Sequence, residues 1–258
     1  MTMYVITHKK FNYPLPPNYK TLLVGANKNP NPDNYLADNT GDNISNKNKS
    51  FCELTGLYWI WKNTSDDLVG LSHYRRYFSK FHYRKYLDLS VLLRGRARPV
   101  STVTLNQELS TADWIVSQPE RSGDGTIGEN FAKYHHVNDL KITRKVLQEK
   151  CPKFVEAFDQ TMSMERGSFY NMFYTTRENL NNYCEWLFDI LFEVEKRVDI
   201  SSYDDYQQRL FGFLSERLLN VYLHAKHCKV AYHAVYQTDV MNRGYAWHQF
   251  IRKIKGVK

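Results

Sequence analysis

The sequence predicts an α/β fold, with short strands early in the chain and a helix-rich C-terminal half. Three observations carry this. Met3–Thr7, Thr21–Gly25, Leu68–Leu71 and Trp114–Val116 are short apolar runs of strand length. Phe51, Leu54, Leu57, Tyr58 and Trp61 recur at helical spacing. So do Leu180, Tyr183, Cys184, Leu187, Phe188, Leu191 and Val198, and then Leu210, Phe213, Leu214, Leu218 and Val221. The 258 residues, 42% hydrophobic and 24% charged, suffice for one large domain with a sizeable core, and internal repeats and low-complexity tracts are absent.

Taken in order, Met3–Thr7 is an opening strand that ends in His8, Lys9 and Lys10. Pro14, Pro16 and Pro17 stiffen the connection to the second strand. Residues 27–48 are rich in Asn, Asp, Pro and Gly and read as a long loop, the kind that is usually functional or disordered. Ser50 and Glu53 fit a capping box for the Phe51–Trp61 helix, with Asn46 as an alternative start. After the Leu68–Leu71 strand the polarity changes abruptly to Ser72, His73, Tyr74, Arg75, Arg76 and Tyr77. Tyr86–Val100, with Arg84, Lys85, Arg94, Arg96 and Arg98 flanking a short apolar core, reads as a basic solvated linker or a mobile loop over a negatively charged substrate. Helical character resumes at Asn130. On the 206–223 helix, Arg209, Gly212, Glu216 and Asn220 form a stripe opposite the apolar side, a pattern that is usually solvated.

The His-and-arginine segment is the most informative. In α/β folds ligands sit beyond the carboxyl ends of strands. Two guanidiniums at that place can hold a diphosphate by charge-assisted, bidentate hydrogen bonds. A basic loop beside an aromatic core accounts for the same residues equally well. Asp38, Asp42 and Asn43 lie just before a helix start, where an anion can also be held. Metal spacing is weak: His135 with Asp139, and His224 with Cys228, are pairs with no third ligand placed by spacing.

The net charge of +8 favours anionic partners. Nucleic acid is disfavoured, because the cations are spread out and no zinc-finger or RNA-binding signature occurs. Cys52, Cys151, Cys184 and Cys228 are far apart and read as reduced core thiols. MTMYVITHKK lacks the apolar segment of a secretion signal, and no apolar run reaches 18 residues. The expected location is therefore cytoplasmic. The tail from Arg252 to Lys258, with four basic residues among Ile251, Ile254 and Val257, suggests a weak contact with an anionic membrane surface at the inner face, and a frayed solvated terminus is its plain alternative.

The strings ELTGLYWIWKN and GLSHYRRYF resemble a family encoded in bacterial capsular and exopolysaccharide gene clusters, long labelled a domain of unknown function and read as glycosyltransferases, some adding galactofuranose. THKKFNYPLPPNYKTLLVGA, DNTGDNISNKN, NMFYTTRENLNNYCEWLFDIL and RLFGFLSERLLNVYL extend the resemblance over most of the chain. It implies a GT-A-like fold in one domain: residues 1–120 as a nucleotide-sugar-binding half, 121–245 as an acceptor-side helical half, and 246–258 as a basic tail. It implies a UDP-sugar donor and a lipid-linked or oligosaccharide acceptor. The expected donor-binding residues are Thr7, His8, Asp38, Asn43, Lys47, His73, Arg75 and Arg76. Where such folds usually carry an Asp-x-Asp metal motif, this chain has Ser72 to Arg76, so cations are expected to neutralise the departing diphosphate without a metal. Asp66 and Asp67 precede the strand and do not supply the motif; Asp38 and Asp42 are the alternative metal ligands. A base for an inverting transfer is sought among Asp139, Glu165 and Glu216. Glu216 and Asp139 rank equally. The competing class is a non-catalytic nucleotide-sugar or glycan-binding protein of a polysaccharide assembly system.

Overall fold

A computed structural model of the protein describes residues 1–123 and 125–254, without the side chains of residues 253 and 254. The chain opens with β1 (Thr2–Thr7), β2 (Tyr19–Leu23) and a two-residue β3 (Leu36–Ala37). Next come α1 (Asn48–Phe51), α2 (Leu54–Asn63), β4 (Leu68–His73), β5 (Arg76–Phe78), α3 (Arg84–Arg94) and α4 (Thr102–Glu108). The middle of the chain supplies β6 (Trp114–Ser117), β7 (Glu120–Arg121), α5 (Ile127–Tyr134), α6 (Val137–Lys150) and α7 (Val155–Ser163). The last part gives β8 (Arg166–Gly167), β9 (Phe173–Thr176), α8 (Arg177–Glu195), α9 (Leu210–Ala225), β10 (Val230–His233), β11 (Val235–Gln237) and α10 (Arg243–Ile254).

Among the described residues, nine strands form one mixed sheet in the order β10-β6-β9-β4-β1-β2-β3, with β5 on the end of β4 and β11 on β5; β7 and β8 pair separately. β3, β2, β1 and β4 are parallel, and β6 is parallel to β10. β9 runs antiparallel between β4 and β6. A strand from the second half thus sits inside a sheet begun by the first. Because β9 runs backwards, its start lies beside the carboxyl ends of β1 and β4, and the loop before it joins the same edge.

The β-branched and aromatic runs explain the burial. All six residues of β1 are buried, as are Val69 to Ser72 of β4. Helices α1, α2, α8 and α9 cover one face through Phe51, Leu57, Leu187, Leu191, Leu214 and Leu218. Gly56 makes the α2 contact possible: a Cβ there would fall 2.6 Å from Ile6 Cδ1 and 2.8 Å from Val24 Cγ1. The other face is closed by Met3, Val5, Tyr77, Phe78, Ile115 and Tyr174.

Several expectations need correction. The capping box does not form: the Ser50 hydroxyl donates to the Lys47 carbonyl, and Cys52 at φ +50° breaks the helix before α2 begins. Residues 84–94 are helical, because Leu87 and Val91 bury one face against Ala234, Met241 and Ala246. Of the stripe, Arg209 is exposed just before α9, but the other three residues are not solvated. Gly212 is buried against Cys52, and Asn220 holds the Ser168 backbone through N–H and carbonyl at 2.8 Å each. The basic tail lies outside the described residues from position 255 onward, and no helix among the described residues is long and apolar enough to cross a membrane.

Candidate functional site

A cleft of about 540 Å³ opens at the carboxyl edge of the parallel strands. β1 delivers Thr7 and His8 to it, and β4 delivers His73 with Tyr74, Arg75 and Arg76. The break between α1 and α2 adds Lys49, Cys52 and Glu53; the loop before β9 adds Tyr170; α9 and its approach add Asp205, Arg209 and Glu216.

Tyr170 and Asn171 join these parts. Both adopt left-handed backbone, φ +79° and +52°, which is uncommon for residues with a side chain and clusters at functional sites. The conformation turns three polar groups in different directions. The Tyr170 carbonyl meets His73 Nε2 at 2.5 Å, and its N–H donates to Glu216 Oε1 at 3.0 Å. The Asn171 amide donates to Glu53 Oε1 at 2.6 Å and to Ser215 Oγ at 2.8 Å. One short segment therefore fixes the end of β4, the start of α2 and the middle of α9.

The cleft lining carries both signs of charge. Its cations include Arg75, Arg76, Arg209 and Lys49. Arg75 pairs with Asp239 at 2.8 Å and Lys49 with Asp205 at 3.1 Å, both exposed pairs that a bound anion can displace at little cost. Arg76 lies 4.8 Å over the Tyr170 ring, and its guanidinium has no carboxylate partner among the described residues. Arg209 donates to the weak acceptor Cys52 Sγ at 3.4 Å and lies 5.5 Å over the Phe213 ring. Burial pushes the Cys52 thiol up to about 12, so it stays protonated. Burial also lowers the pKa of His73, with Arg76 acting in the same direction against Glu53. His73 is then neutral, donates from Nε2 to the Tyr170 carbonyl and leaves Nδ1 as an acceptor. His8 is lowered by burial and by the nearby charges of Lys9, Arg75 and Arg209.

Besides Asp205, two carboxylates line the cleft, Glu53 and Glu216. Burial raises Glu216 above the usual carboxylate range; Arg217 opposes the shift and Glu53 adds to it. The Glu216 carboxylate takes the Tyr170 N–H on one oxygen and Arg217 Nη1 on the other, at 3.0 Å each.

Of the residues expected from the sequence, Thr7, His8, His73, Arg75, Arg76 and Glu216 converge here. Asp38, Asn43, Lys47, Asp139 and Glu165 are elsewhere. Asp38 is buried, accepting from the backbone of Gly25 and Ala26 and from the hydroxyls of Ser45 and Thr55. With four donors satisfied, it ties the long loop to β2 and α2. Asn43 bonds locally to Gly41 and Ser45. Lys47 pairs with Glu195 at 2.6 Å. Asp139 is buried beneath the Tyr203 hydroxyl, and Glu165 pairs on the surface with Arg121. Lys49, Cys52, Glu53, Tyr170, Asn171 and Arg209 were not singled out as site residues. The available signal was the α9 stripe itself, in which Arg209 and Glu216 lie two turns apart on one face.

Such a molecule is an α/β protein with a cleft at its strand ends lined by arginines and by the carboxylates Glu53 and Glu216. The chain belongs to the family described as Domain of unknown function (DUF4422), whose model matches residues 2–227. No curated protein matches it. Its fold is similar to part of the solved apo structure of WbbM, a bifunctional glycosyltransferase, with TM-score 0.78 and 25% identity. The match covers 91% of this chain and 44% of that one, so the chain spans less than half of WbbM.

Proposed function

We propose that the protein is a glycosyltransferase that moves a sugar from a nucleoside-diphosphate sugar, with UDP as the expected carrier, to a hydroxyl of a growing glycan. The observation that carries this reading is the convergence of Arg75, Arg76 and Arg209 with Glu216 and Glu53 in one strand-end cleft. The likeness to a region of a bifunctional glycosyltransferase supports it.

In this reading the donor diphosphate lies against the guanidiniums, with His8 and Thr7 near the nucleoside. Glu216 takes the proton of the acceptor hydroxyl as its oxygen attacks the anomeric carbon. The anomeric carbon–oxygen bond to phosphate breaks, and the nucleoside diphosphate leaves with the electron pair. Attack from the face opposite the phosphate inverts the anomeric centre. Fixed positive charge stabilises the leaving group as its charge develops, and no metal is required for that step. Galactofuranose and a capsular, exopolysaccharide or O-antigen acceptor are the specific partners that the family resemblance suggests.

A lipid-linked acceptor fits a second feature. A cationic groove of about 580 Å³, with Lys80, Arg94, Arg96 and Arg98, runs beside α3. Leu93, Trp247 and Phe250 are exposed on α3 and α10, which pack together. Cations next to exposed aromatic and aliphatic side chains are the chemistry of peripheral contact with anionic lipid.

The direct test is thermal unfolding with UDP, GDP and their sugars, because a ligand that binds only the native state raises apparent stability. A rise with uridine nucleotides that is lost in Arg76→Ala supports the reading. No rise with any nucleoside diphosphate or its sugar overturns it.

A further inference from the structure

Away from the cleft, His82, Glu108 and His233 bring three ligand atoms within 4.8 Å of one another. His233 ends β10 and is fully buried; Glu108 ends α4; His82 lies in the loop between β5 and α3 and is half exposed.

Their hydrogen bonds are those of ligand histidines. His233 Nδ1 meets the Ser79 carbonyl at 2.6 Å, and His82 Nδ1 meets the Tyr232 carbonyl at 2.9 Å. A carbonyl only accepts, so both Nδ1 atoms carry hydrogen, and both Nε2 atoms turn toward Glu108. His233 Nε2 is 2.8 Å from Glu108 Oε2, and His82 Nε2 is 4.0 Å from Oε1. Each ring therefore faces an oxygen acceptor at both nitrogens. His233 Nε2 and Glu108 Oε2, 2.8 Å apart, must share either a proton or a metal ion. Nδ1–H bonded to a backbone carbonyl is the outer-sphere arrangement that orients metal-bound imidazole.

The backbone is set in advance. The Ser79 and Ala234 N–H groups donate to the Ala234 and Phe81 carbonyls at 3.0 and 2.7 Å, pinning the loop to the β10–β11 junction. Around tetrahedral zinc, ligand atoms about 2.1 Å from the metal stand roughly 3.4 Å apart. The observed 2.8 and 4.0 Å separations bracket that value, so small side-chain rotations suffice.

We propose that His82, Glu108 and His233 form a zinc-type divalent metal site, open to solvent at the His82 side and completed by water. Two imidazoles and a carboxylate suit zinc among the common divalent ions. The ion would clamp the 79–83 loop to α4 and β10, and so fix the start of α3.

The test uses the untagged full chain, stripped with chelator and titrated with zinc, and separately with cobalt(II) as a visible-absorption reporter. About one zinc per chain, a four-coordinate cobalt spectrum and a zinc-dependent rise in Tm are expected. His82→Ala, an exposed change, should keep the fold by circular dichroism yet weaken zinc at least about tenfold, the lower end of the loss on removing even an outer-sphere partner. Glu108→Gln should do the same. Lack of uptake by the wild-type chain, or equal uptake by His82→Ala, overturns the site. None of these readouts depends on sugar transfer.

Discussion

At Glu216 the fold places a carboxylate under opposed influences. Burial and the neighbouring Glu53 favour the protonated form, while Arg217 favours the charged one, and the balance lies above the usual carboxylate range. A group poised this way accepts a proton more readily than an exposed glutamate does. If it is the base, it works only when deprotonated, so kcat should rise as pH climbs through its raised pKa and then level off. Glu216→Gln should lower kcat by about 100-fold or more and abolish that rising limb. A Gln variant with wild-type kcat and the same pH limb would remove Glu216 from the chemistry and turn attention to Glu53. In the same cleft, Arg76 has its guanidinium uncommitted to any described carboxylate, so its charge is available to a ligand. Arg76→Ala should weaken UDP binding by roughly 1.5–3 kcal/mol, the worth of a charged hydrogen bond, as read by calorimetry. Unchanged affinity in both Arg75→Ala and Arg76→Ala would place the diphosphate elsewhere. Guanidinium stays charged at any working pH, so transfer should survive exhaustive chelation. The His82→Ala variant serves for this measurement, since it separates the cleft from the distal histidines. Activity that disappears with chelator and returns with manganese would show that a cation, not arginine, balances the diphosphate.

At the scale of elements, the Tyr170–Asn171 segment decides the geometry of the cleft, and its conformation separates two contributions that a simple deletion would merge. Asn171 holds Glu53 and Ser215 through its amide while its backbone stays left-handed. Asn171→Gly removes the amide together with the Cβ that disfavours left-handed backbone; Asn171→Ala removes the amide but keeps the Cβ and its penalty of roughly 1–2 kcal/mol. Both should lose stability, with Ala the less stable by about 1 kcal/mol in urea unfolding. Equal stability would mean that the loop changes conformation when the amide is lost. This segment also shows where the sequence is silent. β1, β4 and β6 were legible because β-branched apolar runs of strand length have few other uses, and α2, α8 and α9 because their periodicity is long. Arg75, Arg76 and His73 were legible because charge immediately after a buried strand is conspicuous. A non-glycine residue at positive φ leaves no such mark, so Cys52, Tyr170 and Asn171 were passed over. Glu53 was read as half of a cap because the break at Cys52 was not foreseen. α3 was read as linker because five cations outweighed the two apolar residues, Leu87 and Val91, that bury it.

For the molecule as a whole, the question is what face it would turn to the proposed acceptor. The net charge is +8, but four of the cations, Lys80, Arg94, Arg96 and Arg98, line one groove. None of the four has a carboxylate partner among the described residues. Beside them Leu93 is 68% exposed, Trp247 55% and Phe250 45%, more apolar surface than the neighbouring polar helix faces require. Charge alone would give loose attraction that salt abolishes; apolar side chains alone would favour self-association. Together they favour a surface that is anionic outside and apolar just beneath. Each Lys or Arg near an anionic leaflet contributes about 1 kcal/mol, falling off within a Debye length, so four give weak, reversible binding rather than anchoring. Flotation with vesicles containing anionic lipid should recover the protein at low salt and lose it at high salt. Arg96→Ala with Arg98→Ala should reduce recovery at every salt concentration. Trp247→Ala should remove the residual fraction that salt leaves behind, because insertion of the ring is not screened. Equal recovery on neutral and anionic vesicles, or wild-type recovery in all these variants, would show that this face does not meet lipid and that the acceptor reaches the cleft from solution.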